Sequence, residues 1–293
     1  MVVLSVIILN YNTKDLTKQC LTSLENHYRE ELRKGVFEII VVDNASTDTS
    51  ASVISNLKSQ ISNLTLIKNK ENVGFSKGNN IGAKNAKGRY LLFLNSDTEV
   101  GDNGLLSAVS YVEEHKDIGV LGAKLRNADG FDQASTGKFY TIGNVFLMLF
   151  LGERFGLLRT SPKTISEVDW VSGAALLIRK KLFDQLGGFD DHFFMYMEDM
   201  ELCYRVKKIS YQVVFYPYTV IYHKELGSSN RGFAIAHIYK GLLYFYKKHM
   251  NYIQYVIVKM LLITKAYVAI AIGIFTNNTY LRSTYRQALA FSL

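Results

Sequence analysis

Three short apolar runs in the first hundred residues each stop on an amide or a carboxylate, which limits the chain to a small set of folds. Val2 to Leu9 stops at Asn10, Phe37 to Val42 at Asp43, and Tyr90 to Leu94 at Asn95. Between the runs, apolar residues recur at helical spacing: Leu16, Cys20 and Leu24 on one segment, and Val53, Leu57 and Ile61 on the next. A further strand at Leu64 to Lys68 and a helix near Lys77 to Asn85 complete an alternation that specifies a parallel sheet covered by helices. Asn12 or Thr13 is expected to cap the first helix. Ligands of open α/β sheets bind beyond the carboxyl ends of the strands. The tips Asn10-Tyr11-Asn12, Asp43 to Asp48 and Asn95-Ser96-Asp97 therefore form one candidate site. Asp43, Ser46 and Asp48 could equally be ordinary caps of the following helix, but three polar tips on one edge favour a ligand.

Further along, a helix is expected around Leu105 to Val112, then an irregular Gly-containing stretch over Asp129 to Lys138 and an apolar run at Val145 to Leu151. Strand signals return at Val168 to Ile178, and a helix follows. Gly187-Gly188 breaks the chain before another helix from about Glu198 to Lys207, and short strands near Val213 to Tyr216 and Val220 to His223 close the body. No repeat or low-complexity linker interrupts the chain, so one body over residues 1–230 and a tail over 231–293 are expected. The 293 residues suffice for a large core without disulfides. Cys20 and Cys203 have no partner at metal-ligand spacing, which fits a reducing cytoplasm, and the N-terminus lacks the basic and small-residue pattern of a secretory signal.

The chemistry at the tips is narrowed by what they lack. No GxGxxG follows the first strand and no GxxxxGK[ST] occurs, so backbone cradles for phosphate are not expected. The anionic part of a nucleotide would need a cation, and Asp97 is the natural first ligand, since hard oxygen donors suit Mg²⁺ or Mn²⁺.

Several segments in register resemble glycosyltransferase family 2, the inverting enzymes of the GT-A fold, and in particular its rhamnosyltransferase-like branch. They are Ser5-Val-Ile-Ile-Leu-Asn-Tyr-Asn12, Val42-Asp-Asn-Ala-Ser-Thr-Asp48, Asn72-Val-Gly-Phe-Ser-Lys-Gly-Asn-Asn80 and Leu94-Asn-Ser-Asp-Thr98. Trp170-Val-Ser-Gly-Ala-Ala175, Gly188-Phe-Asp190, Met197-Glu-Asp-Met200 and Ile221-Tyr-His223 continue the match to about residue 230. The resemblance implies a GT-A (Rossmann-like) α/β fold: a mixed, mainly parallel sheet flanked by helices, with a C-terminal helical tail. It implies that Asn10, Tyr11 and Asp43 contact the base and ribose of a nucleoside-diphosphate sugar, dTDP- or UDP-linked, with Asn72, Lys77 and Asn80 lining the same side. Asn12, Asn44, Gly74, Asn95 and Ser96 belong to the same donor-side segments. Asp97 occupies the metal-binding position of the family's DxD motif, whose first acid is Asn95 here, and His223 matches a further metal ligand. Asp199, in the pair Glu198-Asp199, matches the general base that takes a proton from the attacking hydroxyl. Trp170, Ser172 and Gly173 match the acceptor side. Taken alone, Glu198 and Asp199 would be a solvated first turn of a helix, and His223 and Trp170 ordinary structural residues.

The net charge of +8 is local in origin. Of 34 Lys and Arg against 26 Asp and Glu, eight cations lie after Leu226, where there is no acid. Twelve aromatics accompany them, a mixture suited to an anionic membrane surface. Over Tyr252 to Phe275, twelve Ile, Val, Leu and Phe residues contribute roughly −4 to −7 kcal/mol to insertion, while Lys259 and Lys265 cost roughly +5 to +7 kcal/mol. The near cancellation favours helices lying in the interface over a span, hence peripheral attachment to the inner face of the cell membrane. The long aliphatic runs are atypical of nucleic-acid surfaces, so no nucleic-acid partner is expected. The acceptor expected from charge and family is a saccharide or polyprenyl-linked saccharide. A nucleotidylyltransferase, or a non-catalytic sugar-nucleotide or membrane-binding module, is the alternative.

Overall fold

Seven residues, Leu4–Asn10, all buried except the partly exposed Leu9, form the central strand β1. The computed structural model describes residues 1–152, 156–224 and 231–291. β1 lies parallel between β2 (Phe37–Asp43) and β4 (Tyr90–Asn95), and β2 continues to β3 (Leu64–Lys68). Burial on both faces explains why these strands read as unbroken apolar runs. The register sets Asn10 opposite Asp43 and Leu9 opposite Asn95, so the three polar tips end level on one edge.

The connections are α1 (Lys14–Arg33), α2 (Ser50–Leu57) and α3 (Phe75–Asn85), and after β5 (Thr98–Val100) comes α4 (Gly104–Glu114). The next strand, β6 (Ile118–Arg126), is nearly all buried. β7 (Asp132–Gln133) pairs with it, and β8 (Thr136–Gly137), α5 (Ile142–Phe150), β9 (Arg159–Thr160), β10 (Ser166–Glu167), β11 (Trp170–Val171) and β12 (Ala175–Arg179) follow. Then come α6 (Lys180–Gln185), α7 (Glu198–Lys208), β13 (Gln212–His223), α8 (Arg231–His249), α9 (Tyr252–Phe275) and α10 (Thr279–Ala290). The main sheet runs β10-β13-β6-β12-β4-β1-β2-β3, with β12 antiparallel to β4 and β6, and β13 parallel to β6. It is the mixed, mainly parallel sheet expected from the sequence.

Several local expectations need correction. The expected strand over 168–178 is two, β11 and β12, interrupted at Ser172-Gly173-Ala174. The two expected at 213–216 and 220–223 are one, β13, whose register against β6 shifts between Tyr216 and Val220, around Pro217. β6 was not anticipated, because Gly119 and Gly122 dilute its apolar pattern; a Cβ on Gly122 would strike the Val171 side chain. Neither Asn12 nor Thr13 caps α1 through its side chain; Asp48 Oδ2 accepts from the Lys14 N–H at 2.9 Å instead.

The described residues group into two compact units. The first comprises 1–137, 160–194 and 198–224 and holds the main sheet. The second comprises 138–152, 156–159, 195–197 and 231–291, with α5, α8, α9 and α10. Within it, Asn251 and Gln254 form a reciprocal capping box at the start of α9, and Gly273 admits close approach of Arg282 on α10. Among the described residues α9 alone is long and apolar enough to cross a membrane; 28% of its most apolar window is buried.

Gly74 turns the chain into α3 at φ +85°, and a Cβ there would lie 2.5 Å from the Phe194 carbonyl oxygen, which accepts from the Phe75 N–H at 2.6 Å. Gly74→Ala is expected to destabilise the chain by about 1–3 kcal/mol from the dihedral alone. A drop in the urea midpoint measures it; an unchanged midpoint would show that the turn relaxes freely.

Candidate active site

The tips of β1 and β2 are tied together by one buried amide. Asn10 Nδ2 donates to Asp43 Oδ1 at 2.6 Å and to Ser46 Oγ at 2.9 Å, while its Oδ1 accepts from Thr13 at 2.8 Å and Thr17 at 2.7 Å. Two donors and two lone pairs are all that a carboxamide possesses, so Asn10 is saturated. Thr13 and Thr17 spend their single protons on Asn10. Ser96 must then donate to Thr13 across their 3.0 Å contact, which brings in the tip of β4. Asn12 closes the knot, its N–H on Ser46 Oγ and its Oδ1 accepting from the Thr47 N–H. Asn10 and Asn12 thus shape the loop that follows β2. Of the residues expected on the donor side, Tyr11 (44% exposed), Asn12 and Lys77 are exposed. Asp43 is 3% exposed, with Oδ2 reached by the Ser46 N–H at 3.3 Å. Asp48 is a plain cap, serving α1 with Oδ2 and the Ser50 N–H of α2 with Oδ1.

A second amide network fixes the loop before α3. Asn44 Nδ2 donates to Asn72 Oδ1 and to the Gly74 carbonyl, its Oδ1 accepts from Asn69, and Asn72 Oδ1 also accepts from the Gly74 N–H. Asn80, expected beside the donor, is committed elsewhere. It donates to the Phe189 carbonyl and to Asp191, and accepts from the Phe189 N–H, so it clamps the turn that leads towards α7.

At the β4–β5 turn, Asp97 is 4% exposed and its Oδ1 makes no hydrogen bond. That oxygen faces His223 Nε2 at 3.4 Å. The other ring nitrogen, Nδ1, lies 2.9 Å from Gln133 Oε1, an oxygen that only accepts, which assigns the proton of a neutral ring to Nδ1. Nε2 then presents a lone pair to a carboxylate, an arrangement that a cation between them would satisfy. A histidine held from behind by an amide oxygen is also how outer-shell groups orient metal ligands. Asn95 Nδ2 reaches Nε2 at 3.5 Å. Among the described residues no three of His, Cys, Asp or Glu converge. Gln133 was missed in the sequence because the segment around it reads as irregular.

The gap between β11 and β12 meets the start of α7. The Gly173 N–H donates to Asp199 Oδ2 at 2.9 Å, and the Met200 N–H to Oδ1 at 2.7 Å. Asn95 N donates to the Ala174 carbonyl, so the Asp199 side adjoins the Asp97 side along one sheet edge. Tyr196 and Met197, at φ 69° and 75°, precede this pair in the left-handed region. Two such non-glycine residues cost roughly 1–3 kcal/mol each and are typical of a functional turn. The acids of the pair are not equivalent: Asp199 is half-buried, whereas Glu198 is 5% exposed with Oε2 unpartnered. Burial, and then the charge of Asp199, push the Glu198 carboxyl well above its usual range, which favours its protonated form. On the acceptor side, Trp170 is 5% exposed and packs over Gly137, and the Ser172 hydroxyl accepts from the Ala174 N–H.

Residues 5–200 match the profile of glycosyl transferase family 2. The chain belongs to that family. It is 35% identical over 128 residues to the poly(ribitol-phosphate) beta-glucosyltransferase of Bacillus spizizenii, covering 43% of this chain and 20% of that one. It is 27% identical over 151 residues to the N-acetylglucosaminyl-diphospho-decaprenol L-rhamnosyltransferase of Mycobacterium tuberculosis, covering 48% and 49%. The mannosyltransferase PcManGT from Pyrobaculum calidifontis, solved with GDP-Man and Mn²⁺, superposes with a TM-score of 0.60 at 17% identity, covering 98% of this chain and 74% of that one. The last likeness is one of fold, GT-A. The chain spans 22%, 20% and 62% of the lengths of three curated relatives it matches.

Glu198 generates a pH signature. Unfolded it loses its proton near pH 4.5, and folded only well above that. Between the two values the unfolded state binds fewer protons, so the contribution of Glu198 to stability is largest below pH 4.5 and is lost as pH rises through the folded value. Glu198→Gln should remove this contribution, with the variant gaining on the parent as pH increases above 4.5. Parallel urea titrations give the result, and identical slopes would mean that Glu198 is ionised in the fold.

Proposed function

We propose that the chain is an inverting glycosyltransferase that moves one sugar, rhamnose by preference, from a dTDP- or UDP-linked donor to a saccharide or polyprenyl-linked acceptor in cell-surface glycan synthesis. The observation that carries the reading is the Asp199 carboxylate, oriented by two backbone N–H groups on the edge that also bears the Asp97–His223 pair. The rhamnose preference rests on the branch resembled and on the Mycobacterium tuberculosis relative; a glucosyl-transferring relative stands beside it.

In this reading the donor base and ribose lie against Tyr11 and Asp43, in the cleft that Asn10, Asn12, Asn44 and Asn72 hold open. Asp97 and His223 are the residues that would hold Mg²⁺ or Mn²⁺, whose chemistry there is to stabilise the charge of the departing diphosphate. Asn95 in place of an acid leaves the protein's contribution to one negative charge, consistent with Mg²⁺-type sites that rely on substrate phosphates and water for the rest. Asp199 accepts the proton of the acceptor hydroxyl as its oxygen bonds to the anomeric carbon and the bond to diphosphate breaks, which inverts that carbon. Glu198, buried beside Asp199 with its carboxyl shifted towards the protonated form, completes the acidic pair. The body over 1–230 would carry this chemistry, and the basic tail over 231–293 would attach it peripherally to the cytoplasmic face of the membrane.

Asp199→Asn is expected to lower kcat by about 10²–10⁴-fold with donor affinity unchanged. Asp97→Asn should instead abolish the extra thermal stabilisation that Mn²⁺ gives in the presence of a nucleotide sugar. A thermal-shift screen of dTDP- and UDP-sugars with and without Mn²⁺, followed by turnover with the hit, tests both. Full turnover by the Asp199 variant, or tight donor binding by the parent with no turnover on any acceptor, would overturn the enzyme reading.

A further inference from the structure

The side chain of Gln133 is used on one atom and left unused on the other. The residue is 7% exposed, and its Nε2 is a buried donor with no hydrogen-bond partner, whereas its Oε1 lies 2.9 Å from His223 Nδ1. A buried donor left unpaired costs about 1–3 kcal/mol, which an apolar side chain of the same length would not incur. Native folds retain few such groups without a use, so the value of this amide lies in the one bond it makes.

The backbone leaves the amide little freedom. Gln133 stands opposite Leu125 in the β6–β7 pair. Two residues on, Ser135 donates its N–H to the Thr160 carbonyl at 3.1 Å and accepts from the Ser172 N–H at 2.8 Å, and β8 then pairs with β11. Gln133 is therefore carried by a segment tied into both sheets.

The bond to His223 decides where the ring proton sits. With Oε1 accepting, the proton of a neutral ring is assigned to Nδ1; the Asn95 Nδ2 contact with Nε2 at 3.5 Å agrees, since an amide N–H meets a lone pair there. Nε2 and Asp97 Oδ1 are then two acceptors, and their 3.4 Å separation exceeds the roughly 2.7–2.9 Å of a charge-assisted hydrogen bond. Without an acceptor behind it, the ring would be free to carry its proton on Nε2 and donate to Asp97. That bond would occupy both atoms on which a cation depends.

We propose that Gln133 is a positioning residue that keeps the Asp97–His223 pair open to a divalent cation: it holds the ring proton on Nδ1 and so prevents the two side chains from bonding to each other. The inference rests on the reading of that pair as the cation site and adds to it a residue from a different strand.

The probe is Mn²⁺, titrated into the full chain at saturating UDP and, separately, at saturating dTDP, with unbound Mn²⁺ followed by EPR. The parent should bind one ion per chain. Gln133→Met keeps the length of the side chain without the acceptor, and should weaken Mn²⁺ by at least about tenfold, as removal of an outer-shell partner does. Its metal-free melting temperature should be no lower than the parent's, because the unpaired Nε2 goes with the amide and His223 gains Asp97 as a partner. Gln133→Glu restores an oxygen at the same reach and should bind Mn²⁺ at least as tightly as the parent. Gln133→Met binding as tightly as the parent, Gln133→Glu binding as weakly as Gln133→Met, or affinity and melting temperature falling together in Gln133→Met would overturn the proposal. A parent that binds no Mn²⁺ with either nucleotide, or His223→Ala binding it as tightly as the parent, would instead overturn the cation reading of Asp97 and His223, and this inference with it.

Discussion

The Asn10 carboxamide is the interaction on which the candidate site depends. Parallel strands end level only if something resists the spread of their loops, and here one buried side chain spends all four of its hydrogen-bonding positions on Asp43, Ser46, Thr13 and Thr17. Those partners lie on the β2 tip, the loop after it and the start of α1, and Thr13 passes the link to Ser96 at the β4 tip. In a buried setting such a network holds a defined shape only when every member is satisfied.

Around that knot, the two sides of the site are built differently. The Asp97–His223 side leaves acceptor atoms facing one another, a local deficit of positive charge that a divalent cation and a diphosphate would complete. The Asp199 side is fully provided with donors from the backbone, at Gly173 and Met200, and needs nothing more to hold the carboxylate in place. Glu198 next to it shows how position alone separates two adjacent acids. One turns into the protein, where burial favours its protonated form, and the other meets the sheet edge.

Much of the fold was legible in the chain because buried parallel strands must be apolar throughout and must end in groups that accept solvent or ligand. β1, β2, β3 and β4 fall within a residue or two of where the apolar runs place them. β6 escaped notice because its glycines make room for Val171 and blur the apolar signal. The candidate site was legible as a set of residues and less so as a set of roles. Asn80 and Trp170 sit in segments that resemble the family, yet one clamps the turn at Phe189 and the other packs over Gly137. Thr17 could have been suspected from sequence, as a polar residue on the buried face of α1 one turn before Cys20. Gln133 carried no such signal, since its partner His223 is 90 residues away.

What the sequence by itself determined is the alternation of strands and helices, the polar tips, the family, and a tail without acids, since each follows from local periodicity, residue type or charge. What only the tertiary structure decided is which polar groups are used up by one another and which are left over. Saturation of Asn10, the bare oxygen of Asp97 and the unpaired hydroxyl of Tyr239 all depend on distances between atoms far apart in the chain. Hydrogen bonds are short-ranged and directional, so only the folded packing can say where they are made and where one is missing.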